Sequence, residues 1–341
     1  MKSVVVLLLC FASAQAFAWG HRGHEMVGHV AQDELSPRAR KILEKLFGKN
    51  VILGVEATFP DRVRSNKAYD RFKPWHYADQ PALTIADVLG KNFPKPEDQK
   101  PAEKEAIPFM ERLLADQPYL LANHAPAGDA LQALFFLEGI LKSPRSSAEQ
   151  KVFAIRYIAH ITGDIHMPLH IGSGLDTGGN SCSVKWKGQA TKKYDDASGS
   201  AVVPMNLHIV WDDQIPDEKL CGNTSCTSRE YYELLRKENA LEIKKMKKRW
   251  SAGTSMDWGK ESGDFREKIY PVVLNSEGKP VEVEGKIPGR PYCKKSSTEV
   301  LDDAMVPDLG DAYYKQWRKT AELRILQAGY RLAARLNALL K

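Results

Sequence analysis

The chain has 341 residues, 43% of them hydrophobic and 27% charged. That length and balance allow a sizeable core and exclude a disordered, collagen-like or polytopic membrane protein. With 49 Lys and Arg against 43 Asp and Glu, the formal charge is +6, a mild excess that permits an anionic partner such as nucleic acid without demanding one.

In residues 1–18, Lys2 precedes the apolar run Val4 to Leu9, and Ala16-Phe17-Ala18 has the small-x-small pattern of a cleavage site. This order predicts a secretory signal with Trp19 as the first mature residue, and hence a secreted or periplasmic protein. No later window holds about 18 uninterrupted apolar residues, so no membrane anchor is expected.

Helical patterning dominates from Trp19 onward. His24 to Leu35 is amphipathic, and Ser36-Pro37 supplies an N-cap and first-turn proline for a second helix ending near Gly48. After the proline-rich stretch Asn92 to Pro101, apolar residues at helical spacing predict helices over Asp129 to Leu141 and Ala148 to Gly163. Ser173 to Val203 reads as irregular, with a small hairpin around Val184-Lys185-Trp186; Val281 to Tyr292 reads as another. A long helix from about Ala312 to Leu340 ends the chain. The expectation is one mainly α domain over 19–341, with long loops and small β-hairpins.

Cys10 leaves with the signal, and the four remaining cysteines read as two disulfides in an oxidising compartment. Cys221 and Cys226 flank the turn-prone Gly222 to Ser225 and could close a short bridge, leaving Cys182 for Cys293. A four-thiolate zinc site is the rival reading, but the paired C-x-x-C spacing is missing.

Histidine and aspartate recur in a pattern. His160/Asp164 and His208/Asp212 are each four residues apart on helical stretches, so each pair can present imidazole and carboxylate to one ion. His170 follows Pro168, which should end the helix and turn the chain back. Upstream stand His24 in Trp19-Gly20-His21-Arg22-Gly23-His24, Asp61, and His76. A nitrogen and oxygen ligand set without cysteine suits zinc, or less specifically manganese or iron. Clustered ions of this kind are suited to phosphate-ester hydrolysis, because they lower the pKa of water and offset charge on the phosphorus oxygens.

In this combination the chain resembles the secreted zinc-dependent class I nucleases, also called S1/P1 nucleases. The elements stand in the family's order: Trp19-Gly-x-x-Gly-His24, Asp61, His76-Tyr77-Ala78-Asp79, His160-x-x-x-Asp164-x-x-x-Pro-Leu-His170, Gly178-Gly179-Asn180, and Asn206-Leu207-His208-x-x-Trp211-Asp212. They span Trp19 to Asp212; the C-terminal part matches only in being helical, and Tyr270 to Ser297 and the cysteine spacing depart from the pattern. The resemblance implies a single-domain helical fold of the phospholipase C/nuclease type and three zinc ions. Asp61, His76, His160 and Asp164 would hold the first; His170, His208 and Asp212 the second; His24, a shared Asp164 and the Trp19 amine and carbonyl the third. Asp61 and Asp164 would act in catalysis, Arg64 would steady the scissile phosphate, Tyr77 and Asp79 would grip a nucleobase, and Asn180 would lie beside the site. The implied activity is endonucleolytic cleavage of single-stranded DNA and RNA to 5′-phosphates, with 3′-nucleotidase activity, in a monomer.

Other readings compete. His21, His29, His124 and His166 have no slot in the pattern and read as surface or supporting residues, with His166 the rival for the place of His170. Tyr77 could be a core aromatic. The basic run Lys244 to Arg249 could be a solvated helix face or could follow a polynucleotide backbone. The runner-up enzyme is a zinc-dependent phospholipase C, disfavoured by the short gap from Trp19 to His24 and by Asp212 in the last ligand slot. A non-catalytic metal- or nucleic-acid-binding protein is the third possibility.

Overall fold

The computed structural model describes residues 19–79, 129–172, 176–196, 199–218 and 226–341. The expected signal, the stretch 92–101, His124 and Cys221 lie outside them, so the Cys221/Cys226 pairing does too.

Helix α1 (His21–Asp33) starts three residues earlier than its apolar pattern predicts. The start is set by main-chain bonds, not by hydrophobic spacing: Gly23 N donates to Gly20 O at 2.7 Å. In α2 (Pro37–Phe47) the Ser36 hydroxyl accepts from Ala39 N at 3.2 Å, and Gly48 closes the helix, as the sequence predicts. Two short helices, α3 (Leu53–Ala57) and α4 (Phe59–Arg62), carry the chain to a 3-10 stretch over Lys67–His76 and the strand β1 (Ala78–Asp79). Helices α5 (Ala130–Lys142) and α6 (Ala148–Asp164) each begin with a capping box, Asp129 with Gln132 and Ser147 with Gln150.

Helix α6 is the centre of the molecule. Its first half keeps a solvent side at Glu149, Val152 and Arg156, whereas from Tyr157 to Asp164 every residue is buried, Ile158, Ala159 and Ile161 among them. His160, Thr162 and Asp164 are buried with them, so their polar atoms must find partners inside the protein. Beyond α6, Pro168–His170 forms a 3-10 turn leading into β2 (Ile171–Gly172). Strand β2 pairs in parallel with β1, Ala78 opposite Ile171 and Asp79 opposite Gly172. That pairing ties the chain just after His76 to the chain just after His170.

Between Ser173 and Val203 the outcome differs from the expected hairpin. A tight turn does join Trp186 to Gln189 through Lys187 (φ 50°) and Gly188 (φ 81°). Yet β3 (Lys185–Trp186) pairs in parallel with distant β6 (Asp308–Leu309), and the antiparallel ladder lies further along, between β4 (Thr191–Asp196) and β5 (Gly199–Pro204). Leu207–Ile209, a π-helical turn Val210–Gln214 and Ile215–Asp217 then follow without a break. Helices α7 (Ser228–Glu238), α8 (Ala240–Trp250) and α9 (Ser255–Ile269) come next. No strand pair forms over 281–292; Val273, Val281 and Gly289 exchange single main-chain bonds instead. The last helix, α10 (Asp311–Leu339), packs Ile325, Leu326, Leu332 and Leu336 into the core.

The fold is mainly α, with short strands that pair two by two among the described residues. Cys182 and Cys293 form a disulfide across 111 residues, which removes two of the thiolates a zinc site would need. Among the described residues no helix is long and apolar enough to cross a membrane.

Candidate metal centre

Four elements converge on one buried pocket. The first turn of α1 brings His24, α4 brings Asp61, the end of the 3-10 stretch brings His76, and the last turns of α6 bring His160 and Asp164. His24 Nε2 stands 3.2 Å from Asp164 Oδ1, and its ring stacks on His160 with centroids 3.8 Å apart. His76 Nδ1 and His160 Nε2 each lie 3.4 Å from Asp164 Oδ2 and 2.9 Å from one another. Asp61 Oδ1 is 3.6 Å from His160 Nε2 and 3.8 Å from His76 Nδ1. A second group stands beside these: His208 Nε2 is 2.9 Å from Asp212 Oδ2, and His170 Nε2 is 3.7 Å from Asp212 Oδ1.

Backbone carbonyls fix the imidazoles. His160 Nδ1 donates to Ala57 O at 2.8 Å, His208 Nδ1 donates to Gly178 O at 2.6 Å, and His170 Nδ1 donates to the His76 carbonyl. A carbonyl can only accept, so each of these rings carries its proton on Nδ1 and turns the lone pair of Nε2 inward, the orientation that metal-binding histidines need. The Gly178 carbonyl is aimed by a left-handed turn, Thr177 (φ 52°), Gly178 (φ 62°) and Gly179 (φ 78°). A Cβ at Gly178 would lie 2.5 Å from Leu169 O, so only glycine fits there.

The electrostatics expose what the pocket lacks. Asp61, Asp164 and Asp212 have both carboxylate oxygens buried without a hydrogen-bond donor, and His24 has both ring nitrogens so, among the described residues. Burial pushes Asp61 up to about 7. Asp164 is driven well above the carboxylate range by burial and by Asp61 and Asp212. Burial also holds His160 down to about 3 and depresses His24, His76 and His170. For Asp212, burial acts upward but is outweighed by His208 and His170; burial lowers His208, and Asp212 more than offsets it. Neutral imidazoles beside carboxylates short of positive charge and of donors are what a site for multivalent cations requires. The residues therefore fit a metal group: His24/Asp61/His160, His76/His160/Asp164 and His170/His208/Asp212 each place their donor atoms within 4.8 Å of one another.

A pH dependence follows from the signs. Burial raises Asp61 and Asp164 toward their protonated forms in the metal-free chain, and the depressed histidines favour the neutral form. Ion uptake should release protons, and affinity should fall as pH drops below about 7, the value of Asp61. Calorimetric zinc titrations in buffers of different ionisation enthalpy, from pH 5 to 8, check this; uptake independent of buffer and pH would contradict it.

The remaining candidates fall around this pocket. Arg64 is half-buried, and its Nη1 is buried with no hydrogen-bond partner among the described residues. Tyr77 is 45% exposed, so it is not the core aromatic of the competing reading. Asp79 continues the same strand with its main chain opposite Gly172; its side chain is outside the described part. Asn180 Nδ2 donates to Thr177 O at 2.8 Å, closing the turn that holds Gly178. Trp19 is fully buried, and Gly20 N donates to Asp212 O at 2.7 Å. His166 turns away from the groups: its Nδ1 donates to Thr162 O at 2.6 Å and its Nε2 meets Arg331 Nη1 at 2.8 Å. His21 is exposed and pairs with Glu25 at 3.5 Å; His29 is half-buried.

Sequence reasoning missed the carbonyls of Ala57, His76 and Gly178, and Asp176. Asp176 is buried, accepts from Tyr270 Oη and sits at the head of the Gly178 turn. Only the Gly-Gly-Asn run hinted at this turn.

Comparison with known proteins agrees with the pocket. A family model described as S1/P1 Nuclease matches residues 19–341. Nuclease S1 of Aspergillus oryzae is 24% identical over 94% of this chain and 91% of its own length. Endonuclease 2 of Arabidopsis thaliana is 25% identical over 98% and 94%, and Nuclease P1 of Penicillium citrinum 22% identical over 94% and 97%. With the match running from Trp19 past every His/Asp group to the last residue, the chain belongs to the S1/P1 nuclease family, whose members act on nucleic acid.

Proposed function

We propose that the chain is a zinc-dependent endonuclease of single-stranded DNA and RNA that leaves 5′-phosphates and also removes 3′-phosphates from nucleotides. The observation that carries this is the set of unpaired buried carboxylate oxygens and inward imidazole nitrogens beside the unpartnered Nη1 of Arg64. Asp61, His76, His160 and Asp164 would hold one zinc, His170, His208 and Asp212 a second, and His24, Asp164 and the Trp19 main chain a third. When bound, the ions supply Lewis acidity that activates water near neutral pH and offsets charge on the phosphate oxygens. Asp164 would join two ions by offering one oxygen to each side. Asp61 would neutralise the same group from α4, and Arg64 would bind a phosphate oxygen as charge builds there. Tyr77, half-exposed at the start of β1 beside His76, would stack on a base, with Asp79 as the hydrogen-bonding partner and Asn180 holding the neighbouring turn. Cleavage after Ala18 would deliver a secreted or periplasmic monomer.

Product analysis tests this reading. A single-stranded oligonucleotide, a duplex of the same sequence, a nucleoside 3′-monophosphate and phosphatidylcholine are incubated with the enzyme, with and without chelator. Chelator-sensitive 5′-phosphate products from the single strand are expected, with little attack on phosphatidylcholine; the reverse preference would favour the phospholipase, and zinc binding without turnover a non-catalytic protein.

Tyr77→Ala refines it. Loss of a stacked base should cost about 1–3 kcal/mol in binding per base, raising KM for nucleotides roughly 10-fold or more, while zinc content stays full. An equal loss on a baseless aryl phosphodiester would place the base pocket elsewhere.

A further inference from the structure

The basic run of α8 is not used by the metal centre, and its surroundings give it a use. Residues 228–250, the α7–α8 pair, carry eight Lys and Arg against four Glu, so this pair holds a net +4 of the chain's +6. Four nearby carboxylates are already engaged. Asp33 and Glu233 each take Arg229 at 2.9 Å, Glu34 takes Lys247 at 2.5 Å, and Glu238 takes Arg318 at 2.6 Å. Lys237, Lys244, Lys245, Lys248 and Arg249 are exposed, and among the described residues no carboxylate lies within 4.0 Å of them. Lys244 and Lys248, like Lys245 and Arg249, are one helical turn apart, about 6 Å along the axis, which gives two short rows of positive charge. Beside them a cleft of about 710 Å³ opens between α7, α8 and α10, lined by Glu34, Arg236, Lys237, Lys244, Lys247 and Tyr330.

The cleft is reached from the metal centre along α1. His21, Glu25, His29 and Asp33 follow at four-residue steps on one face of α1, His21 exposed near Asp61 and Glu25 and Asp33 bonded to Ser228 and Arg229 of α7. From His24 to Glu34 is ten residues, about 15 Å along the axis. A dinucleotide held at the metal centre cannot span that distance, whereas a longer strand can.

We propose that the α7–α8 pair is a docking surface for the sugar-phosphate backbone of a single-stranded polynucleotide, engaging phosphates several nucleotides away from the bond being cut. The inference rests on the nuclease reading above. It gives the enzyme a grip on polymers that it lacks on short substrates, by counterion release and not by base contacts.

The test is the quadruple variant Lys244→Gln, Lys245→Gln, Lys248→Gln and Arg249→Gln, all exposed and remote from the pocket, with an all-Arg version retaining the charge. Turnover of a single-stranded 30-mer and of a dinucleotide is measured from about 50 to 200 mM salt. For the Gln variant the 30-mer KM should rise about 10-fold at low salt with kcat unchanged, and the slope of log KM against log salt should become shallower by up to about 3. The dinucleotide should be unaffected, and the all-Arg version should behave as wild type. An unchanged 30-mer KM and slope overturns the proposal, and so does an equal loss on the dinucleotide. Loss of binding to phosphatidylserine vesicles with an unchanged 30-mer KM would overturn it in favour of a membrane-facing surface. Fluorescence anisotropy with a phosphorothioate 30-mer reads docking without cleavage. A wild type that binds this strand through the Lys and Arg rows yet cuts neither the unmodified 30-mer nor the dinucleotide would refute the nuclease reading and not the docking surface.

Discussion

Asp164→Asn should lower turnover by more than about 100-fold and strip the protein of bound zinc, while leaving it folded. The reason lies in what surrounds the side chain. Asp164 is fully buried at the end of α6, with His24 Nε2 at 3.2 Å from one oxygen and His76 and His160 nitrogens at 3.4 Å from the other. Neither oxygen has a hydrogen-bond donor, so nothing but a cation compensates the charge. Asparagine keeps the volume and removes the charge that would hold two cations close together. Its amide is also cheaper to bury than an ionised carboxylate. The metal-free variant should therefore melt at or above the temperature of metal-free wild type at pH 8, where the carboxylate's ionisation is resisted most. Elemental analysis, turnover and thermal melts of both proteins with and without chelator separate the outcomes. Full metal content with near-normal turnover would remove Asp164 from the site; a metal-free variant that melts far below metal-free wild type would mean that the loss is structural.

Much of this pocket was legible in one dimension because helices convert spacing into direction. His160 and Asp164 lie one turn apart on α6, and Pro168 redirects the chain so that His170 and not His166 faces Asp212. His208 and Asp212 meet as their spacing predicts, although the helix there widens into a π-turn. The capping residue Ser36 marked the start of α2, since a cap acts within three residues of itself, and apolar spacing marked the starts of α5 and α6 to within a residue. Contacts without a local cause left no trace. The parallel pairing of Lys185 with Asp308 joins residues far apart in sequence, and no periodicity announces it.

The segment after α9 shows the same limit where it touches function. Tyr270 to Ser297 carries none of the His/Asp motifs, although the family match runs through it, and it forms a strap over the turn behind His208. Tyr270 donates to Asp176, Tyr292 O accepts from Ser183 N at 3.0 Å, Lys294 N donates to Ser181 O at 2.9 Å, and Cys293 bonds Cys182. Every one of these partners lies within the stretch 176–183 that aims the Gly178 carbonyl at His208. Two of these four links are main-chain bonds, and main-chain groups are the same at every residue, so composition could not single those two out.

Any residue left ahead of Trp19 should cost the enzyme one zinc and most of its rate, with both recovered on cleavage after Ala18. The Trp19 indole is buried, and Gly20 N donates to Asp212 O, so Trp19-Gly20, the expected start of the mature chain, is pinned against the second His/Asp group. Gly20 itself leaves no room for adjustment: a Cβ there would stand 1.7 Å from Asp213 Oδ1. A free α-amine, with a pKa near about 8, can give up its proton and offer a lone pair to a cation beside His24 and Asp164. An amide nitrogen cannot, because its lone pair is delocalised into the carbonyl. An extended chain should still fold, since among the described residues the main-chain bonds that start α1 run from Gly20 onward, Gly20 N to Asp212 O and Gly23 N to Gly20 O. The experiment compares extended and trimmed forms of one preparation for zinc per chain, turnover and melting temperature. Expected are equal melting temperatures under chelation, fewer zinc ions and slow turnover in the extended form, and restoration of both on trimming. Equal zinc and equal rates in the two forms would show that the first mature residue takes no part in the site, and would leave His24 to serve its ion with Asp164 alone.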